Sequence, residues 1–169
     1  KSRRLKRLAI MDQDGANHRF LTNGQTIVLT PQLSRDNRLI AYMSYLNDRP
    51  TIYIYDLASG SQRALVTNVS LAFAPRFSPD GRWVLFSMAV GGNTDLYRVP
   101  TAGGTPQQLT NSPGIDTGGS YSPDGSRIAF ESDRSGTQQV YVMNADGSGQ
   151  TRISFHSGRY ATPEWSPRG

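Results

Sequence analysis

The chain is expected to be all-β, a β-propeller of four-stranded antiparallel blades, and three observations lead there. A 44-residue repeat runs through it: Ser34, Ser78, Ser122 and Ser166 stand 44 apart, as do Tyr53, Tyr97 and Tyr141, and as do Leu21, Leu65, Leu109 and Ile153. Each repeat reads as four short strands, and units of this size bury their apolar faces only by stacking on the next unit. The composition agrees, with 17 Gly and 10 Pro in 169 residues, which suits short strands joined by turns. No helical periodicity competes.

The unit around Ser78 shows the elements in order. Arg76-Phe77 ends a first strand, and Ser78-Pro79-Asp80-Gly81 supplies the turn. Pro sets φ near −65°, Asp bonds back to the backbone and Gly accepts positive φ. Trp83-Val84-Leu85-Phe86-Ser87-Met88 follows, apolar as a strand covered on both faces should be. Gly91-Gly92-Asn93 breaks it, Asp95-Leu96-Tyr97-Arg98-Val99 alternates as a third strand, and Gln107-Gln108-Leu109-Thr110 makes a short polar fourth strand at the rim. The units around Ser34 and Ser122 repeat this plan, with Leu39-Ile40-Ala41-Tyr42-Met43 and Ile128-Ala129-Phe130-Glu131-Ser132 as second strands.

The whole of 1–169 is thus expected to be propeller: a partial blade over 6–22, blades over 28–66, 72–110 and 116–154, and the first strand of a further blade over 160–169. That is about four blades of a larger ring, because open sheet edges and uncovered blade faces are unfavourable.

With no cysteine, disulfides and thiolate metal sites are excluded. No run approaches the roughly 18 apolar residues of a membrane span, so no membrane insertion is expected. The net charge is +5, with Lys1, Arg3, Arg4, Lys6 and Arg7 crowded at the start. Basic clusters are lacking elsewhere, so these read as a charged edge and no nucleic-acid contact is expected.

Catalytic chemistry finds no support. A Ser-His-Asp triad needs a base held beside its nucleophile, whereas His18 and His156 sit out of register in loop-like surroundings and no G-x-S-x-G turn occurs. Asp12-Gln13-Asp14-Gly15 has Asn23 where a calcium loop needs its twelfth-position carboxylate. With Asp146-Gly147 at the same repeat site, it reads as a hairpin turn. Glu131 and Asp133 lie two apart and merely share a face. No catalytic residue, metal or cofactor is expected.

Binding is where the architecture points. First strands line a central channel, and the loops entering them form one mouth. Leu71, Phe73, Ala74, Asp116, Thr117, Arg159, Tyr160 and Thr162 are the candidate partner-binding residues there. They combine aromatics, an Arg and hydroxyls, as protein-binding hot spots do. Leu71 and Phe73 equally suit a plug at the loop base. Gln107 and Gln150, on the outer strands, should matter little.

The core Ser122-Pro123-Asp124-Gly125-Ser126-Arg127-Ile128-Ala129-Phe130-Glu131-Ser132-Asp133-Arg134 with Gln139-Val140-Tyr141-Val142-Met143-Asn144-Ala145-Asp146-Gly147 resembles the propeller repeat of the TolB family. Arg7-Leu8-Ala9-Ile10-Met11-Asp12-Gln13-Asp14-Gly15-Ala16-Asn17 and Arg152-Ile153-Ser154-Phe155 extend the resemblance from about residue 5 to 169. It implies a six-bladed ring and a non-catalytic, periplasmic, protein-binding role in the Tol–Pal envelope system, supporting outer-membrane integrity and cell division. The implied partners are the lipoprotein Pal, received at the mouth, and other Tol proteins. Ala74 and Thr117 fall at family mouth positions, and Gly118-Gly119 stands where the family repeat more often has Pro. Measured against the family, a preceding α/β domain and about two blades are missing. The alternatives are the substrate-gating propeller of a serine oligopeptidase and a glycan-binding propeller.

Overall fold

The computed structural model describes residues 6–45 and 50–166; the basic residues before Lys6 and the last three positions of the Ser166 turn lie outside that range. Among the described residues every regular element is a strand. A two-stranded hairpin, β1 (Ala9–Ile10) and β2 (Arg19–Phe20), precedes three antiparallel four-stranded sheets. The first blade is β3 (Val28–Leu33), β4 (Leu39–Ser44), β5 (Thr51–Asp56) and β6 (Gln62–Ala64). The second is β7 (Leu71–Phe77), β8 (Trp83–Val90), β9 (Asn93–Pro100) and β10 (Gln107–Gln108). The third is β11 (Asp116–Tyr121), β12 (Arg127–Ser132), β13 (Gln139–Asn144) and β14 (Thr151–Arg152). In each, sequence order is spatial order, and the sheets do not close into a ring. This is part of a β-propeller.

Period-2 alternation splits each second strand between two seams. Val84, Phe86 and Met88 join Ala41, Met43, Ile52 and Ile54 between the first and second blades. Leu85 points the other way, meeting Leu96, Ile128, Phe130 and Met143 between the second and third. Leu8 packs with Val28, Ile40, Tyr42, Tyr53 and Tyr55 between the hairpin and the first blade. The Tyr series of the repeat sits at one place in every blade, paired across the ladder as Tyr42 with Tyr53, Phe86 with Tyr97 and Phe130 with Tyr141. These rings stack with centroids 5.8, 6.1 and 5.7 Å apart, each pair adding about 0.5–1.5 kcal/mol beyond the area it buries.

The Ser-x-Asp turns recur in the same detail. Ser78 Oγ donates to Asp80 at 2.6 Å and accepts the Trp83 amide at 2.9 Å, and Ser34 and Ser122 do likewise with Asp36 and Leu39, and with Asp124 and Arg127. The Ser hydroxyls and the turn amides hold the Asp80 and Asp124 carboxyls down at about 2. Residues 160–166 carry no strand assignment. A strand exists through its ladder, and no described strand forms a ladder with that segment, although Glu164 and Trp165 both bond to Ser120 of β11.

Candidate protein-binding mouth

Antiparallel order puts the entries to β7 and β11 at the same end of the molecule as the β8–β9 and β12–β13 turns. That end is the mouth. Side-chain and backbone bonds tie its loops down: within the second blade Ser70 Oγ donates to Ala89 O at 2.9 Å, and Asn93 Nδ2 donates to Ser112 O, on the way to the third blade, at 2.6 Å. The Ala72 amide reaches Pro50 O at 3.1 Å, and the Tyr160 amide reaches Gln138 O at 3.0 Å. Pro50 and Gln138 are two repeats apart, as are Ala72 and Tyr160. The segment from Gly158 therefore follows the third blade as β7 follows the first, although it forms no ladder of its own.

The channel-side strands share a backbone feature. Thr30, Ala74, Gly118 and Thr162 are spaced at multiples of 44, and all have positive φ, at 48, 52, 64 and 51°. In β3, β7 and β11 the ladder register breaks there, between Leu29 and Gln32, Phe73 and Arg76, and Thr117 and Ser120. A left-handed bulge bends the strand and re-aims its side chains. For a residue with a Cβ it costs about 1–2 kcal/mol. Pro31, Pro75 and Pro163 follow three of the four residues, so an X-Pro step at fixed spacing was the available sequence signal.

Of the candidate residues, Thr162 and Arg159 are exposed, while Ala74 and Thr117 are half-buried beside the bulge. Leu71 and Phe73 are half-buried against the first seam, and Tyr160 is half-buried. The Asp116 side chain is turned inward. It is fully buried, and Oδ2 accepts Arg134 Nη2 at 2.6 Å and Ser112 Oγ at 3.2 Å. Nor is Gln150 a detached rim residue. It accepts Arg134 Nη1 at 2.6 Å and donates to Leu109 O at 3.1 Å. Nearby, burial pushes the Asp95 carboxyl up, opposed by hydrogen bonds from Thr110 and Gln108.

Loop composition missed an apolar arc. Ile27, Tyr45, Val90 and Ile115 are 39, 40, 54 and 53% exposed, and all lie at the mouth end. Ile27, Leu71, Ile115 and Arg159 occupy a single repeat position, so carrying the 44-residue spacing into the loops would have found it. Beside Ile115 and Thr117 a cavity of about 300 Å³ opens against Asp133, Thr137 and Gln138, with Arg159 on its rim. His156 is exposed, and His18 packs edge-on to Phe20 at 4.9 Å. In the Asp12 turn, Asn17 donates to Asp12 at 2.6 Å and the Ala16 amide to Asp14 at 2.9 Å.

A family model described as the TolB beta propeller domain matches residues 1–169. The chain belongs to the TolB β-propeller family. One relative, the Tol-Pal system protein TolB 1 of Novosphingobium aromaticivorans, is 66% identical over 62 residues, covering 37% of this chain and 14% of that protein. The crystal structure of TolB from Acinetobacter baumannii superposes with a TM-score of 0.86 at 32% identity, over 96% of this chain and 41% of that one. The chain thus spans well under half of that TolB. A puromycin-hydrolyzing peptidase of Mycobacterium tuberculosis, at 15% identity and TM-score 0.70 over 89% of this chain and 27% of its own, shares the fold alone.

Proposed function

We propose that this TolB propeller is a non-catalytic, periplasmic binding platform of the Tol–Pal envelope system, and that its mouth receives a protein segment, with Pal as the expected partner. Outer-membrane integrity and cell division are the processes it would serve. The observation that carries the reading is the mouth arc, where Ile27, Leu71, Ile115 and Arg159 share one repeat position and Tyr45 and Val90 stand beside them. Apolar side chains at equivalent places in successive blades, with an Arg at the fourth, suit a protein interface. The relatives named as Tol-Pal system proteins supply the partner class.

The test is calorimetric titration of a Pal domain into the full chain at fixed salt. Ala74→Asp, Thr117→Asp and Thr162→Asp each place a charge at the interface, and at Ala74 the left-handed backbone is one that Asp tolerates. Each should weaken binding at least tenfold, since an unpaired interfacial charge commonly costs about 2–5 kcal/mol. Gln107→Ala, on the exposed outer strand, should leave it unchanged. Absence of binding by the unsubstituted chain, or loss only on the outer strand, refutes the reading.

A further inference from the structure

We infer that Asp116 and Arg134, with Asp133 beside them, are positioning residues that pre-set the third-blade sector of the mouth; this rests on the protein-binding reading above. The Arg134 guanidinium is centred in a network. It donates to Asp116 at 2.6 Å, to Gln150 at 2.6 Å and to Ser132 Oγ at 2.9 Å, and it lies 4.9 Å from the Tyr141 ring centroid. Asp116 in turn holds Ser112, whose carbonyl is held by Asn93 of the preceding blade. Next to Arg134, Asp133 Oδ1 accepts the Ile115 amide at 2.7 Å. Gly114 packs so tightly that a Cβ there would lie 2.5 Å from the Arg134 amide nitrogen. The segment 112–117 is thus clamped at nearly every residue, and it presents both the exposed Ile115 and one wall of the mouth cavity.

Stability alone does not explain the clamp. One repeat earlier the same two positions hold Ala72 and Val90, and that blade folds without an ion pair there. Desolvating an Asp and an Arg is costly, and apolar residues of similar volume serve packing as well or better. Asp116 Oδ1 is buried with no hydrogen-bond partner among the described residues, a further cost. What the pair adds is geometry. A loop fixed before the partner arrives loses less freedom on binding, and the saving appears as affinity.

The test separates positioning from folding by giving the third blade the second blade's residues. Asp116→Ala with Arg134→Val should lower the melting temperature less than Asp116→Ala alone, which strands the Arg134 guanidinium. In the double variant, amide exchange at Ile115 and Thr117 should quicken at least tenfold. Affinity for the Pal domain should fall at least tenfold, mainly through slower association. Unchanged exchange and unchanged affinity in a folded double variant overturn the inference. Should that variant fail to fold, Asp133→Ala leaves the Asp116–Arg134 pair intact and frees the Ile115 amide. Faster exchange at Ile115 with an unchanged melting temperature supports the clamp, and unchanged exchange overturns it. Exchange needs no partner, so failure of the parent chain to bind Pal would refute the binding reading and leave the clamp separately judged.

Discussion

Gly118→Ala isolates the feature that sets the third blade apart at the channel wall. Thr30, Ala74 and Thr162 carry a Cβ at this left-handed position, so the backbone strain of about 1–2 kcal/mol is tolerated there. At Gly118 a Cβ would also meet the Glu131 carboxylate, well inside contact distance. Glu131 is only 8% exposed and accepts a hydrogen bond from Gln138. Displacing it sacrifices a charge-assisted bond worth about 1.5 kcal/mol or more, so the substitution should cost about 3 kcal/mol in all. Ala74 faces no such group, because the residue one repeat before Glu131 is Ser87. Placing Gly118→Ala in a Glu131→Ser background should therefore reduce its cost to about 1–2 kcal/mol, the backbone strain alone. Urea unfolding of the four chains of the double-mutant cycle reads this directly. If Gly118→Ala costs the same in both backgrounds, the carboxylate is not what demands glycine.

Further outcomes follow from the packing and the charges. Phe130→Ala should lose about 3–5 kcal/mol by denaturant midpoint, because the ring is fully buried between the second and third blades and stacks on Tyr141. Ile115→Glu should weaken Pal binding without shifting the melting temperature, since Ile115 is 53% exposed; a large stability loss would show it to be core. In acid, Asp80 and Asp124 titrate near 2 when folded against 3.8 as the ordinary value. The unfolded chain then binds more protons between about 4 and 2, so their contribution, full above that range, is lost as pH falls through it. Asp95 has the opposite sign: its raised carboxyl should give a slight gain on acidification above 3.8, and Asp95→Asn should abolish that gain in a pH series of thermal melts.

The repeat made most of the fold legible, because one spacing fixes turn, ladder and seam together. Ser78 predicts a turn that Asp80 and Gly81 complete, and the Tyr97 series predicts a ring that Phe86 covers from the neighbouring strand. The site was less legible. Asp116 stands where a mouth loop enters its first strand, yet the Arg134 that pairs with it lies 18 residues away, beyond β12, and nothing in either stretch announces the pairing. Gln150 reads as peripheral because it adjoins the outer strand, although its side chain bonds inward to Arg134. The apolar arc was hidden by reading loops one at a time, since Ile27, Leu71 and Ile115 gain meaning only as a set. Residues 160–166 match a first strand in sequence, and Thr162 even keeps the left-handed turn, but strand structure is a property of two chains of backbone side by side.

Where a bound partner covers the molecule decides whether the mouth is the binding surface. Hydrogen exchange of the full chain with and without saturating Pal domain measures this residue by residue. Protection should appear at Ile27, at 71–74, at 115–118 and at 159–162, and be absent from the outer strands at 62–64, 107–108 and 151–152. Protection of the outer strands with an unprotected mouth would contradict the account.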